Sequence, residues 1–192
     1  MIRYAVELFV DDRTEQYVRG LWKGLEQKGI TDDMASIQEI QPHLTVAVYN
    51  ELDTERFQDE MAAFMQGTLA LTVPVDIVGC FPASGTVFLG PTVTAGLLQL
   101  HQRFHNRFNE LRSQAIPFYL PGRWNPHCTL ATNLTSSQLG KTLDYCVGQF
   151  SPFQAVLQQI GLVELTFEQQ KCTRSRTLFA MPLVPPDRGY PN

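Results

Sequence analysis

The chain has 192 residues, 44% of them hydrophobic and 18% charged, which excludes disorder and supplies enough apolar side chains for an ample core. Fifteen Lys and Arg against 19 Asp and Glu give a formal charge of −4, which argues against coating long nucleic acid but allows a small anionic ligand held by local basic groups. The four cysteines show no C-x-x-C spacing and are expected as free thiols in a reducing cytoplasm. An acid at Glu7 interrupts the apolar start, so neither a signal peptide nor a membrane span is expected there.

Alternation over 4–10 predicts a first strand, after which Asp11-Asp12 offers a helix N-cap. Tyr17, Leu21, Trp22 and Leu25 form the apolar stripe of a helix over 13–28, closed by Gly29. A mostly polar stretch, 31–41, leads to Pro42-His43-Leu44-Thr45-Val46-Ala47-Val48-Tyr49-Asn50, a strand by its content of Val, Leu and Thr. Asp53 or Thr54 caps a second helix with Phe57, Met61 and Phe64 inward; Gly67 ends it, and a strand follows over 69–78.

The same order then returns. A strand over 86–89 ends at Pro91, and a helix of about twenty residues starts near Thr94 with Leu97, Leu100, Phe104, Phe108 and Leu111 inward. A loop over 116–125 leads to Pro126-His127-Cys128-Thr129-Leu130-Ala131-Thr132-Asn133-Leu134. Thr135 or Ser136 caps a fourth helix through Leu139, Leu143, Tyr145 and Val147. Strands over 155–167 and 177–183 precede a Pro-rich tail, 185–192, that is expected to fray.

Both motif segments have the form P-H-x-T-x-A. Strand alternation places His43, Thr45 and Ala47 on one face, with Leu44, Val46 and Val48 toward a core; His127, Thr129 and Ala131 repeat the pattern. A single His on a half-buried strand is usually a packed residue. Two of only four histidines in one six-residue context are not explained by packing. His43 lies 41 residues after Ile2, and His127 lies 41 after Thr86, which supports an internal duplication. The expected fold class is α+β, a single bilobal domain over 1–192. Its two pseudo-symmetric lobes (a duplicated strand-helix-strand-helix-strand, about 1–82 and 83–184) enclose a central cleft lined by the two H-x-T strands.

On these residues the chain resembles the 2H phosphoesterase superfamily, and within it the bacterial 2′–5′ RNA ligase-like or RNA 2′,3′-cyclic phosphodiesterase branch. His43-Leu44-Thr45 and His127-Cys128-Thr129 match its paired H-x-[ST] motifs. Tyr4-Ala5-Val6-Glu7-Leu8 and 124–131 also look like that branch. Some relatives carry an Arg two residues before the second His; here that position is Asn125, and Arg123 lies two residues further back. The resemblance implies hydrolysis of 2′,3′-cyclic phosphates on RNA 3′ ends or small nucleotides, with a 2′-phosphate as product. It also implies His127 as base and His43 as acid. A 2′–5′ oligonucleotide or ADP-ribose cyclic phosphate is the alternative substrate, and a non-catalytic nucleotide-binding or RNA-end-binding module is the alternative class.

The residue types suit that chemistry. Two imidazoles can hold opposite protonation states near neutral pH and serve as acid and base, while Thr45 and Thr129 can donate hydroxyl hydrogen bonds to phosphate oxygens. No metal or other cofactor is required, and a cytoplasmic monomer is expected. Tyr119 and Trp124 could stack on a base and Arg123 could pair with phosphate; the competing reading makes Trp124 and Phe118 a plug between the lobes. Tyr49 is a further candidate for the substrate wall. Cys128 is read as packing, Glu7 as an edge or pairing residue, and Arg174 and Arg176 as a polar strand face. His101 and His105, at helical i, i+4 spacing beside Arg103 and Arg107, are read as a solvated helix face rather than a metal site.

Overall fold

The computed structural model describes residues 1–185, so the expected fraying of 186–192 lies outside the described residues. The elements are β1 (Ile2–Val10), α1 (Asp12–Gln27), β2 (His43–Tyr49), α2 (Thr54–Met65), β3 (Leu71–Phe81), β4 (Thr86–Pro91), α3 (Ala95–Arg107), β5 (Cys128–Ala131), α4 (Ser136–Gln149), β6 (Phe153–Glu168) and β7 (Lys171–Pro182). The helices start where short polar side chains can take an orphan backbone N–H. Asp11 accepts from Thr14, Asp53 from Arg56, Thr94 from Leu97, and Thr135 forms a reciprocal capping box with Gln138. Asp11 also accepts the Val156 N–H at 2.7 Å, which pins the start of α1 to β6.

All strand pairs are antiparallel, in the order β2-β1-β6-β3-β4-β5, with β7 on β6. Read from either end, this order runs motif strand, first strand of the same repeat, then the third strand of the other repeat. The 16-residue β6 serves both sides, pairing with β1 over 157–166, with β3 over 153–157 and with β7 over 159–168. The motif strands end the ladder on either side but become central in space, because β2 and β5 come into contact across the cleft. The outer edge of β2 is covered by the chain after α3, through Asn50 N–H to Gln114 O (3.3 Å) and Ile116 N–H to Val48 O (2.7 Å). That protects an edge strand from pairing with another molecule.

Each motif strand carries a bulge just after its threonine. Val6 faces Ala47 and Glu7 faces Thr45, which leaves Val46 without a partner; Val87 faces Ala131 and Phe88 faces Thr129, which leaves Leu130 over. Neighbours on β1 and β4 point to opposite faces, so the extra residue puts Ala47 and Ala131 on the face opposite their threonines. This corrects the expected His-Thr-Ala face: histidine and threonine share it, alanine does not. Tyr49 goes with Ala47. It is 1% exposed and packs edge-on to Phe57, with ring centroids 6.3 Å apart, so it belongs to the core rather than to a substrate wall. Val48 correspondingly returns to the threonine face, opposite Ala5.

Three boundaries and one helix face also differ from expectation. α3 stops at Arg107, and a 3₁₀ turn at Asn109–Leu111 replaces its last turn after Phe108 adopts φ −103°. β5 starts at Cys128, so His127 stands just before the strand. The inward residues of α4 are Thr142 and Cys146, whereas Val147 is 59% exposed. The last hairpin is longer than expected because Gln169 and Gln170 turn it in two residues, both at positive φ (47° and 68°). Register also makes Val87 the counterpart of Val6, which shifts the first strands three residues from the 41-residue correspondence.

The core lies between the curled ladder and the helices, with Leu8, Leu44, Met61, Phe104, Leu130, Leu157 and Leu162 among its buried members. No helix among the described residues is long and apolar enough to cross a membrane.

Candidate active site

His43 and His127 are held the same way. The Nδ1 of His43 lies 2.6 Å from the Gln41 carbonyl oxygen, and that of His127 lies 2.7 Å from the Asn125 carbonyl oxygen. A carbonyl can only accept, so Nδ1 is the protonated nitrogen in each ring and Nε2 is left with no protein partner among the described residues. The two rings are close enough for charge on His43 to depress the pKa of His127. Burial is the larger influence on both and pushes each below its usual value, while the Nδ1 hydrogen bond opposes the shift. Thr45 and Thr129, both half-buried, share the faces of their histidines. Cys128 sits between His127 and Thr129 but is buried, and burial pushes its thiol up to about 12, in keeping with a packing role.

The bulges leave carbonyl oxygens off the ladder, and side chains take them up. The Trp124 indole donates to the Thr45 oxygen at 2.8 Å, and the Trp22 indole to the Thr129 oxygen at 3.1 Å. His105 Nε2 reaches the oxygen of the bulged Val46 at 3.2 Å, and His101 Nε2 the Tyr119 oxygen at 2.8 Å. His101 and His105 are therefore not a solvated face; they are 0% and 7% exposed and fix the backbone beneath the site. Neither the role of Trp22 nor these histidine contacts is legible in the sequence, because the Thr45, Val46 and Thr129 carbonyls are freed only by the bulges and the Tyr119 carbonyl reaches His101 only in the folded loop.

Burial depresses His101 to about 4. Unfolded His101 takes up a proton near pH 6.5 and folded His101 does not, so its stabilising contribution is complete above pH 6.5 and is lost as pH falls toward 4. From the two values, the loss is about 3 kcal/mol. Glu7, which burial shifts upward, changes stability in the opposite sense as pH rises. The quantity to measure is therefore the difference in urea-unfolding free energy between wild type and His101→Gln, at pH 7.5 and 4.5. Wild type is expected to lose more on acidification than the variant.

The loop before the second motif is divided in role. Trp124 lies flat on His101, with centroids 3.9 Å apart and planes 5° apart, and its N–H is committed to Thr45. This is the structural arrangement rather than a free stacking platform. Tyr119 is half-buried, with its hydroxyl close to the Thr45 side chain and near Glu7 and Arg3. Phe118 is 67% exposed with the Arg123 guanidinium 5.1 Å from its ring centre, so Phe118 is the open aromatic beside the site. Arg123 has no carboxylate partner among the described residues. Arg174 and Arg176 are paired with Glu39 and Glu164 on an exposed surface. Glu7 is not an edge residue; it is 1% exposed and lies 3.3 Å from His43 Nδ1. No group of three or more His, Cys, Asp or Glu residues stands together as a metal-binding set among the described residues.

Comparison with known proteins gives the family and the fold. The family model described as the 2′–5′ RNA ligase superfamily matches residues 33–166, more than half of the chain. Among solved structures, one described as a phosphoesterase is similar at 16% identity with a TM-score of 0.62, covering 95% of this chain and 98% of the other. Escherichia coli LigT complexed with 3′-AMP is similar at 16% identity, TM-score 0.60, with coverage of 95% and 98%. TT0787 of Thermus thermophilus is similar at 16% identity, TM-score 0.59, with coverage of 94% and 97%. At these identities the likeness establishes the fold. No curated protein matches the chain by sequence.

Proposed function

Since the chain belongs to the 2′–5′ RNA ligase superfamily of 2H phosphoesterases, which supports a phosphodiester-cleaving activity, we propose that it is a metal-independent phosphodiesterase opening 2′,3′-cyclic phosphates on RNA 3′ ends or nucleotides. The observation that carries this reading is the matched pair of imidazoles, each anchored through Nδ1 and leaving Nε2 unpartnered among the described residues. In the proposed step a water oxygen forms a new bond to phosphorus while its proton passes to His127 Nε2. The bond from phosphorus to the ribose 3′ oxygen breaks, and that oxygen takes the proton from His43 Nε2. The product is a 2′-phosphate beside a free 3′-hydroxyl. Thr45 and Thr129 donate to the non-bridging oxygens as charge builds on them. In this reading Arg123 and Phe118, paired on the loop before the second motif, contact the rest of the nucleotide. Crystals of E. coli LigT with 3′-AMP, NADP⁺ and ATP support a nucleotide as the ligand class.

The test is hydrolysis of nucleoside 2′,3′-cyclic monophosphates, and of a short RNA ending in a cyclic phosphate, with EDTA present and the product isomer read by ³¹P NMR. Turnover to a 2′-phosphate is expected. Absence of turnover on both substrates, or its abolition by EDTA, would overturn the reading.

A further inference from the structure

At the position paired with the motif threonine, the two halves of the duplicated frame differ in chemical kind. Glu7 stands opposite Thr45 across the β1–β2 ladder, and Phe88 stands opposite Thr129 across β4–β5. On its other side each faces a glycine, Gly161 on β6 and Gly79 on β3. A Cβ at Gly161 would lie 2.5 Å from the Phe179 carbonyl oxygen, and one at Gly79 would lie 2.8 Å from the Phe88 ring. Both halves thus require glycine beside this position; one half places a carboxyl group there and the other a phenyl ring. The Glu7 oxygen nearest His43 Nδ1, at 3.3 Å, is buried without a hydrogen-bond partner among the described residues. His127 has instead the rings of Phe81 and Phe88, with centroids 5.0 and 5.3 Å from its own.

We propose that Glu7 is the positioning residue that makes the two histidines unequal, by keeping a proton on the His43 side of the cleft so that His43 is the acid and His127 the base. The acid and base roles rest on the two-histidine reading above; the Glu7–His43 dyad itself does not. Burial holds the Glu7 carboxyl well above the usual carboxylate range and pushes His43 below its usual value. Between those two titrations the dyad holds one proton and is neutral, whichever atom carries it. With the proton on the ring, Nδ1–H stays on the Gln41 carbonyl, Nε2–H faces the departing oxygen, and the carboxylate offsets the positive charge. Among the described residues His127 has no such acid, and a charge on His43 further favours its neutral form. The other titratable groups facing the dyad are Tyr119 and Arg3, the thiols of Cys128 and Cys172, and His127.

The decisive measurements are NMR titrations of the His43 imidazole nitrogens and the Glu7 carboxyl carbon in the wild-type protein. They require neither turnover nor a variant that folds. Both signals are expected to respond in the same two steps. Independent titration of Glu7 near the usual 4.5 would overturn the proposal. In Glu7→Gln only the ring titrates, so the alkaline limb of the kcat/KM profile is expected to move down by about one to three pH units, while the acid limb stays. Glu7→Asp should restore the limb, and Glu7→Gln should have no added effect in a His43→Ala background. A uniform loss at every pH, or movement of the acid limb instead, would also overturn it.

Discussion

His127→Ala is expected to lower kcat for a 2′,3′-cyclic phosphate by about 10²–10⁴-fold, and His43→Ala by a similar factor, because each removes one proton-transfer partner from the proposed step. The two losses should not multiply. Acid and base act in one displacement, so the double variant should fall little below the worse single one. KM should change far less, since Thr45 and Thr129, the proposed phosphate contacts, remain. Steady-state kinetics on all three variants decides the matter. A variant that keeps wild-type kcat would remove its histidine from the mechanism.

The second large effect concerns stability. Phe57 is 3% exposed and contacts Tyr49, Phe104, Phe108 and Phe179, with centroids 6.3, 6.5, 4.8 and 6.4 Å away. It therefore joins α2 to β2, α3 and β7. Phe57→Ala is expected to cost about 3–5 kcal/mol, from lost apolar burial together with a cavity that rings on several elements cannot close. Urea unfolding at pH 7.5 measures this. A loss under about 1 kcal/mol would mean that the cluster repacks.

What was legible in the sequence follows from what is local. Asp11, Asp53, Thr94 and Thr135 announce helix starts because a cap acts within three residues, and the apolar stripes announce which faces turn inward. The paired H-x-T motifs pointed to the site because repetition is visible in one dimension. The bulges were not legible, since a bulge belongs to a pair of strands and exists only once β1 and β4 have set the register. Tyr49, Ala47 and His105 were misplaced for that one reason: the bulges turn the first two to the other face and free the Val46 carbonyl that His105 satisfies. His101 was misplaced because its partner, the Tyr119 carbonyl, reaches it only in the folded loop. Gln169 and Gln170 lack the Gly or Asn that marks a tight hairpin. Glu7 looked ordinary because its position acquires meaning only beside Phe88, its counterpart in the other half.

The exchange of third strands between repeats also has a consequence for biosynthesis. When residues 1–85 have left the ribosome, β1 and β2 can pair, but the second edge of β1 must wait for β6, which begins at Phe153. β3 likewise has neither of its neighbours until β4 and β6 appear. The nascent first half therefore carries open strand edges and an uncovered apolar face through the synthesis of nearly all the second half, the condition under which chains associate wrongly. A message cut short near its middle should yield an aggregating or chaperone-held fragment rather than half an enzyme.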